Sequence, residues 1–260
     1  MEQRALPDFR ATRAKAGEIL SQKSNRLKLT EAIIVCLLPV LLSVLLVQLF
    51  ESVADLTLSG DAARTAAAIG FNCLLGLFHL FFTLPLLMGL FGMAAGMARG
   101  DSVSLTELFA PYASGAAYRQ VLSISLRLVL RVAVLILAVE GTLLLFRLFG
   151  RGILALAILT AVLAVGEVIV WIALLLLRFP VLFFVCGERM PVREANRRAA
   201  RVAKRSRRGG AVWLLSFLPW ILLGLLTVGL LLLADVIPRM CISYFLYTEQ
   251  MTETLNPSEE

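Results

Sequence analysis

Apolar residues in this chain come in long unbroken blocks separated by short polar ones. From Thr30 to Phe50 no charge occurs after Glu31, and roughly 20 apolar residues suffice for a helix to cross about 30 Å of hydrocarbon. A polar stretch, ESVADLTLSGDAART, separates this run from a second one between Ala66 and Ala98. The second is longer than one crossing needs, and Pro85 is a place for it to kink. Its GMAAG motif, beginning at Gly92, has the small-xxx-small spacing that lets helices approach closely in lipid. Residues 99–119 read as a loop with a short interfacial helix around Ser104–Ala110. Ser104 stands there as N-cap and Glu107 at the capping-box position.

A third run covers Val121 to Phe149, and a turn at FGRG leads into a fourth from Ile153 to Val185. As one helix the fourth run would be about 50 Å long, so Pro180 is expected where it leaves the hydrocarbon. Ala211 to Tyr247 is again too long for one span. A turn at Gly229 would divide it and give six helices, and without that turn there are five. The expected fold is therefore all-α: a polytopic transmembrane helical bundle of about six helices, with a basic cytoplasmic surface helix. Its parts are a basic N-terminal segment (1–29), a transmembrane domain (30–247) that includes a basic loop (188–210), and an acidic tail (248–260). The tail reads as disordered.

Composition agrees with a lipid solvent. The 260 residues are 59% hydrophobic and 17% charged, against about 25% charge in a soluble domain. The N-terminal segment is too long and too mixed in charge for a cleavable signal, and no small-x-small site closes the first apolar run. Cys36, Cys73, Cys186 and Cys241 form no CxxC pair, and His79 is the single imidazole. No metal site or cofactor is expected from such spacing.

Lys and Arg in short loops are retained on the cytoplasmic side. Seven cations precede the first run and nine lie between Glu188 and Gly210. With six helices both ends, the 99–119 loop and the 188–210 loop fall inside, and the acidic Glu51–Thr65 stretch falls outside. The expected location is the cytoplasmic membrane. Within REANRRAARVAKRSRRGG, Arg193, Arg197, Arg201 and Arg205 recur every four residues, with Val192, Ala195, Ala199 and Val202 on the opposite side. The stripe suits a helix lying on anionic inner-leaflet lipid, at about 1 kcal/mol per cation. A solvated loop that only sets topology reads the same residues. Nucleic acid is not expected as a partner, because no aromatics interleave the cations for base stacking.

Beyond composition, several segments resemble a bacterial integral membrane family, domain of unknown function 975. They are RATRAKAGEIL, SLTELF, ERMPVREANRRAARVAKRSRRGGAVWLLSFLPWILLGLLTVG and IPRMCISYFLY. The resemblance implies a segment re-entering the membrane with Trp220. It also implies a last helix bearing Pro238 near its start and Tyr244 and Tyr247 near its end. Ala199, Arg205 and Arg239 depart from that pattern. The resemblance supports six helices with both ends inside and implies no activity.

Ionisable groups inside spans are costly and are functional candidates by default. Measured from the FGRG turn, Arg131 lies about 28 Å and Glu167 about 26 Å deep, so these two can pair. Glu140 lies about 15 Å deep, level with Arg239 if Gly229 is also a turn. Both pairs read as inter-helix ties or, alternatively, as a polar path for an ion or solute. His79 is expected to bond a neighbouring helix. No G-x-S-x-G elbow, HExxH motif or phosphate loop occurs, so an enzyme is not expected. The expected role is a non-catalytic membrane protein acting by association with lipids, envelope proteins or further copies of itself; the alternative is a small-solute or ion transporter or channel.

Overall fold

The computed structural model describes residues 7–57, 60–127, 130, 180–205, 209–227 and 229–255. Every regular element among them is helical. Helix α1 (Phe9–Ser21) starts at Asp8, whose carboxylate accepts from the Arg10 amide at 2.8 Å. That bond satisfies one of the orphan donors of the first turn. Thr12, Ala16 and Leu20 recur every four residues and are buried, and α1 packs on the C-terminal helix.

Helix α2 (Lys23–Thr57) has 35 residues, about 52 Å at the usual rise. It outruns the expected Thr30–Phe50 span at both ends, because no glycine interrupts it before Gly60. Gly60 turns the chain with φ 103°, a conformation that glycine adopts without steric cost. Helix α3 (Asp61–Phe78), a π-helical turn (His79–Thr83) and α4 (Leu84–Arg99) then run on without a break. Much of the expected outer loop is therefore helical. Across the turn Phe50 stacks on Phe71 with centroids 4.4 Å apart, and Arg64 pairs with Asp55 at 3.1 Å.

Helix α2 and the continuous stretch Ala66–Arg99 are each long and apolar enough to cross a membrane. After Arg99, Gly100 closes α4 with φ 86°, and the Asp101 amide donates to the Gly96 carbonyl at 2.9 Å. Ser104 and Glu107 form the expected capping box, and a 3₁₀-helix (Leu105–Tyr112) follows. Helix α5 occupies residues 115–127. Pro180 precedes a second π-helical turn (Phe183–Gly187), which leads to α6 (Val192–Arg205).

Helix α7 (Gly209–Leu226) ends before the turn expected at Gly229, which has φ 79°. A third π-helical turn (Leu232–Val236) then leads into α8 (Ile237–Leu255). The tail differs from the expected disorder, since α8 continues through residues 248–255. Thr248 and Met251 continue its buried face and are at most 1% exposed, so packing holds those turns despite the acidic residues between them.

Prolines organise the backbone. A proline inside a helix removes one N–H and strands the carbonyl four residues earlier. Before Pro85 that is Phe81, whose carbonyl accepts from the Tyr118 hydroxyl at 3.2 Å, while Tyr112 donates to Phe82 at 2.7 Å. Before Pro238 it is Ala234, which accepts from Arg26 Nε at 3.0 Å. Near Pro219 the Ser216 carbonyl accepts from Arg13 Nη1 at 3.1 Å. The expected kink at Pro85 thus takes the form of a widened turn with hydroxyl partners.

The close approach assigned to GMAAG is met at Gly96 and not at Gly92, and a tighter one occurs at Gly89, outside the motif. Nothing lies within 4 Å of a Cβ built at Gly92, whereas one at Gly89 would overlap the Leu108 carbonyl of the 3₁₀-helix. One at Gly96 would lie 2.8 Å from Val103 Cγ2. Glycine is therefore needed where α4 meets its own following loop.

Gly89→Ala is expected to cost about 1–3 kcal/mol, because the obstacle is backbone and the site is overpacked. Gly92→Ala should be neutral, or stabilising by up to about 1 kcal/mol from helix propensity. Thermal unfolding of the two variants in detergent checks the contrast.

Candidate functional site

Four charged segments meet at one end of the described structure. Helix α4 ends in Arg99, whose Nη1 donates to the Gly187 carbonyl and whose Nε lies 3.3 Å from Asp101. The chain after Gly187 reverses through Arg189, which has φ 53°. It is fastened there by the Met190 amide to the Phe184 carbonyl at 2.9 Å and by Gln120 Nε2 to the Met190 carbonyl at 3.1 Å. The Pro191 carbonyl then accepts from the amides of Glu194 and Ala195, both at 3.0 Å, starting α6.

Between α4, the 183–188 turn and α8 lies a cleft of about 240 Å³. Phe183, Phe245, Ala95 and Ala98 give it an apolar floor, and Arg99, Glu188, Glu249 and Glu253 supply the charge. Glu188 and Glu249 are both pushed above the ordinary carboxylate range, chiefly by burial. Arg198 opposes the shift at Glu188, while Glu249 and Glu194 add to it. At Glu249 the neighbouring Glu253 adds, and Lys15 of α1 and Arg99 oppose. The cleft wall also carries the Thr252 hydroxyl, which donates to the Thr248 carbonyl at 2.8 Å.

Helix α6 divides its residues sharply. Val192, Ala195, Ala199 and Val202 are buried, with Ala195 and Ala199 at 0% exposure. They pack against the 183–187 turn and α8. The expected apolar side is thus taken up by the protein, and no part of it is left to enter lipid. Arg193, Arg197 and Arg201 are exposed on the other side, and Arg205 closes the helix. Arg198 lies between the faces, 3.2 Å from Glu194 and 3.9 Å from Glu188.

Arg131, Glu140 and Glu167 lie outside the described residues, as does the FGRG turn. Arg239 pairs with Asp235 at 2.9 Å, one helical turn earlier across the third π-helical turn. Its guanidinium rests on α1, where a Cβ at Gly17 would meet Nη1 at 3.0 Å. Glu140, the partner expected for Arg239, lies outside the described residues. His79 Nδ1 lies 2.9 Å from Thr83 Oγ1, within its own helical rod, and among the described residues no bond to a neighbouring helix is seen. Among the described residues no three His, Cys, Asp or Glu side chains come together to hold a metal ion.

The aromatic anchor of this end escaped the sequence reading. Trp213 is buried, donates to Ser243 Oγ at 3.2 Å and packs edge-on to Tyr244 with centroids 5.8 Å apart. The Tyr244 hydroxyl accepts from the Phe183 amide at 3.2 Å. Trp220, by contrast, is exposed beneath the Arg13 guanidinium at 5.6 Å. Tyr247 is fully buried. The cleft carboxylates were missed as well, because their positions join distant parts of the sequence and form no local motif. Comparison with known proteins returns no match to a family model, a curated protein or a solved structure.

A carboxyl whose pKa is raised by folding binds its proton more tightly in the native state, so its contribution to stability grows as pH falls through the raised value. Wild-type protein should therefore gain on Glu249→Gln as pH falls from about 7.5 toward the ordinary Glu value of about 4.3. The variant, uncharged throughout, should melt a few degrees higher than wild type at the upper pH. Paired melting curves in detergent across that range check the sign.

Proposed function

We propose that the chain is a multi-pass integral protein of the cytoplasmic membrane, non-catalytic, acting at its inner face by association with lipids or other envelope proteins. The observation that carries this reading is the apolar surface. Only 17% of the most apolar stretch of α2 and 33% of that in Ala66–Arg99 is buried. A core helix of a water-soluble protein would be mostly covered. Leu38, Leu41, Leu45 and Leu49 on α2, with Leu215, Leu218 and Leu222 on α7, leave apolar side chains exposed along both helices. Water penalises such surface at about 25 cal/mol per Å²; acyl chains do not.

Charge supports the orientation. The Arg99 end of α4, the 183–188 turn and the end of α8 line one cleft, and α1 and α6 both pack on α8. Retention of basic segments inside then assigns that end to the cytoplasm and the Gly60 and Gly229 turns to the outside, with both ends of the chain inside and about six helices in all. The resemblance to domain of unknown function 975 is part of the same proposal and rests on the motifs quoted for it.

Cysteine accessibility tests the reading. In a cysteine-free background, Ser52→Cys near the Gly60 turn should react with an impermeant maleimide on intact cells. Ala200→Cys on the exposed side of α6 should react only after permeabilisation. Labelling of Ala200→Cys from outside would reverse the topology, and recovery of the protein in the soluble fraction without detergent would refute membrane insertion.

A further inference from the structure

We infer that the exposed cationic side of α6 is a docking surface for anionic phospholipid headgroups, engaged by charge alone and without insertion of the helix. This inference rests on the membrane reading above and goes further by assigning the partner, the residues and the mode.

The first support is the division of labour within α6. A surface helix that inserts keeps its apolar side free for the acyl boundary. Here that side is buried: Val192, Ala195, Ala199 and Val202 are all covered by protein. What remains for a partner is Arg193, Arg197 and Arg201, with Lys204, all exposed. Among the described residues none of these four has an ion-pair partner. Arg198 does, and its partners Glu194 and Glu188 neutralise it in place.

The second support is geometry. A four-residue interval advances about 40° beyond a full turn, so Arg193, Arg197 and Arg201 span an arc of only about 80° over about 12 Å. They present one charged strip. The 14-residue helix is held at both ends by apolar segments. Phe183–Gly187 precedes it, and α7 begins at Gly209. With such short connections it lies beside the membrane boundary, within a Debye length of about 8–10 Å of the headgroups. Anionic lipid on the cytoplasmic leaflet is the complementary charge at that place.

The test uses the full chain in nanodiscs of phosphatidylcholine alone or with phosphatidylglycerol added. Trypsin cleavage after Arg193, Arg197 and Arg201 is followed by mass spectrometry, with cleavage after Arg64 as an internal reference. Anionic discs should slow cleavage at the three α6 positions by about tenfold relative to Arg64, and high salt should remove most of the difference. In Arg193→Gln/Arg197→Gln/Arg201→Gln, cleavage after Lys204 should no longer depend on lipid charge. These are exposed positions, so the variant retains its fold.

Equal rates in the two kinds of disc overturn the inference. So does protection by soluble polyglutamate with none by phosphatidylglycerol, which would assign the surface to an acidic polypeptide. Disc-bound protein with unprotected α6 sinks this inference alone, whereas protein that never enters discs sinks the membrane reading beneath it.

Discussion

A polar backbone group with no water nearby must find a partner inside the protein, and the described structure is organised around that demand. In hydrocarbon an unsatisfied N–H or C=O costs several kcal/mol, so helices are the default and every interruption needs a remedy. Prolines interrupt α2, the α3–α4 rod, α7 and the approach to α8. At two of these places the remedy is visible: Tyr118 serves the carbonyl stranded by Pro85 and Arg26 the one stranded by Pro238, while near Pro219 Arg13 bonds the adjacent Ser216 carbonyl. π-helical turns directly precede Pro85 and Pro238, where widening the helix by one residue relieves the ring's clash with the preceding turn.

The same demand gives the N-terminal cations a second use. By number they read as markers of the cytoplasmic side. In place, Arg13 and Arg26 close helix defects on α7 and before α8, and Lys28 donates to the Val103 carbonyl at 2.8 Å. One charged side chain can do both, because a guanidinium carries several donors in a fixed fork while its stem lies along apolar surface. Helix α6 shows the opposite arrangement: its small apolar side fixes it to the 183–187 turn and α8, and Arg193, Arg197 and Arg201 have no ion-pair partner among the described residues.

What was legible in the sequence follows from range. The first two apolar runs, the Ser104–Glu107 box and the Gly229 turn depend on residues within a few positions of one another, and the described structure has all of these. The Gly89 contact was not legible, because glycine spacing in GMAAG signals a possible approach and leaves its partner open; the neighbour proved to be the loop after α4. The helical course of 248–255 was hidden because the acids suggested solvation, while Thr248 and Met251 carry the buried stripe between them. The cleft joins Arg99, Glu188 and Glu249 from three distant segments, and no local spacing announces such a meeting. For Arg239 depth arithmetic named Glu140, which lies outside the described residues; the Asp235 contact one turn away on the same helix was not foreseen.

The docking of the N-terminal helices on α7, α8 and the turn between them has a consequence for biogenesis. Arg13 and Arg26 bond to carbonyls 203 and 208 residues further along the chain. A ribosome adds about 5–20 residues per second, so α1 emerges many seconds before its docking surface exists. During that interval its Thr12–Ala16–Leu20 stripe is bare and the carbonyls it will help to satisfy are unmade. Tertiary closure is therefore a late event by construction, and α1 leaves the ribosome long before it can find its place.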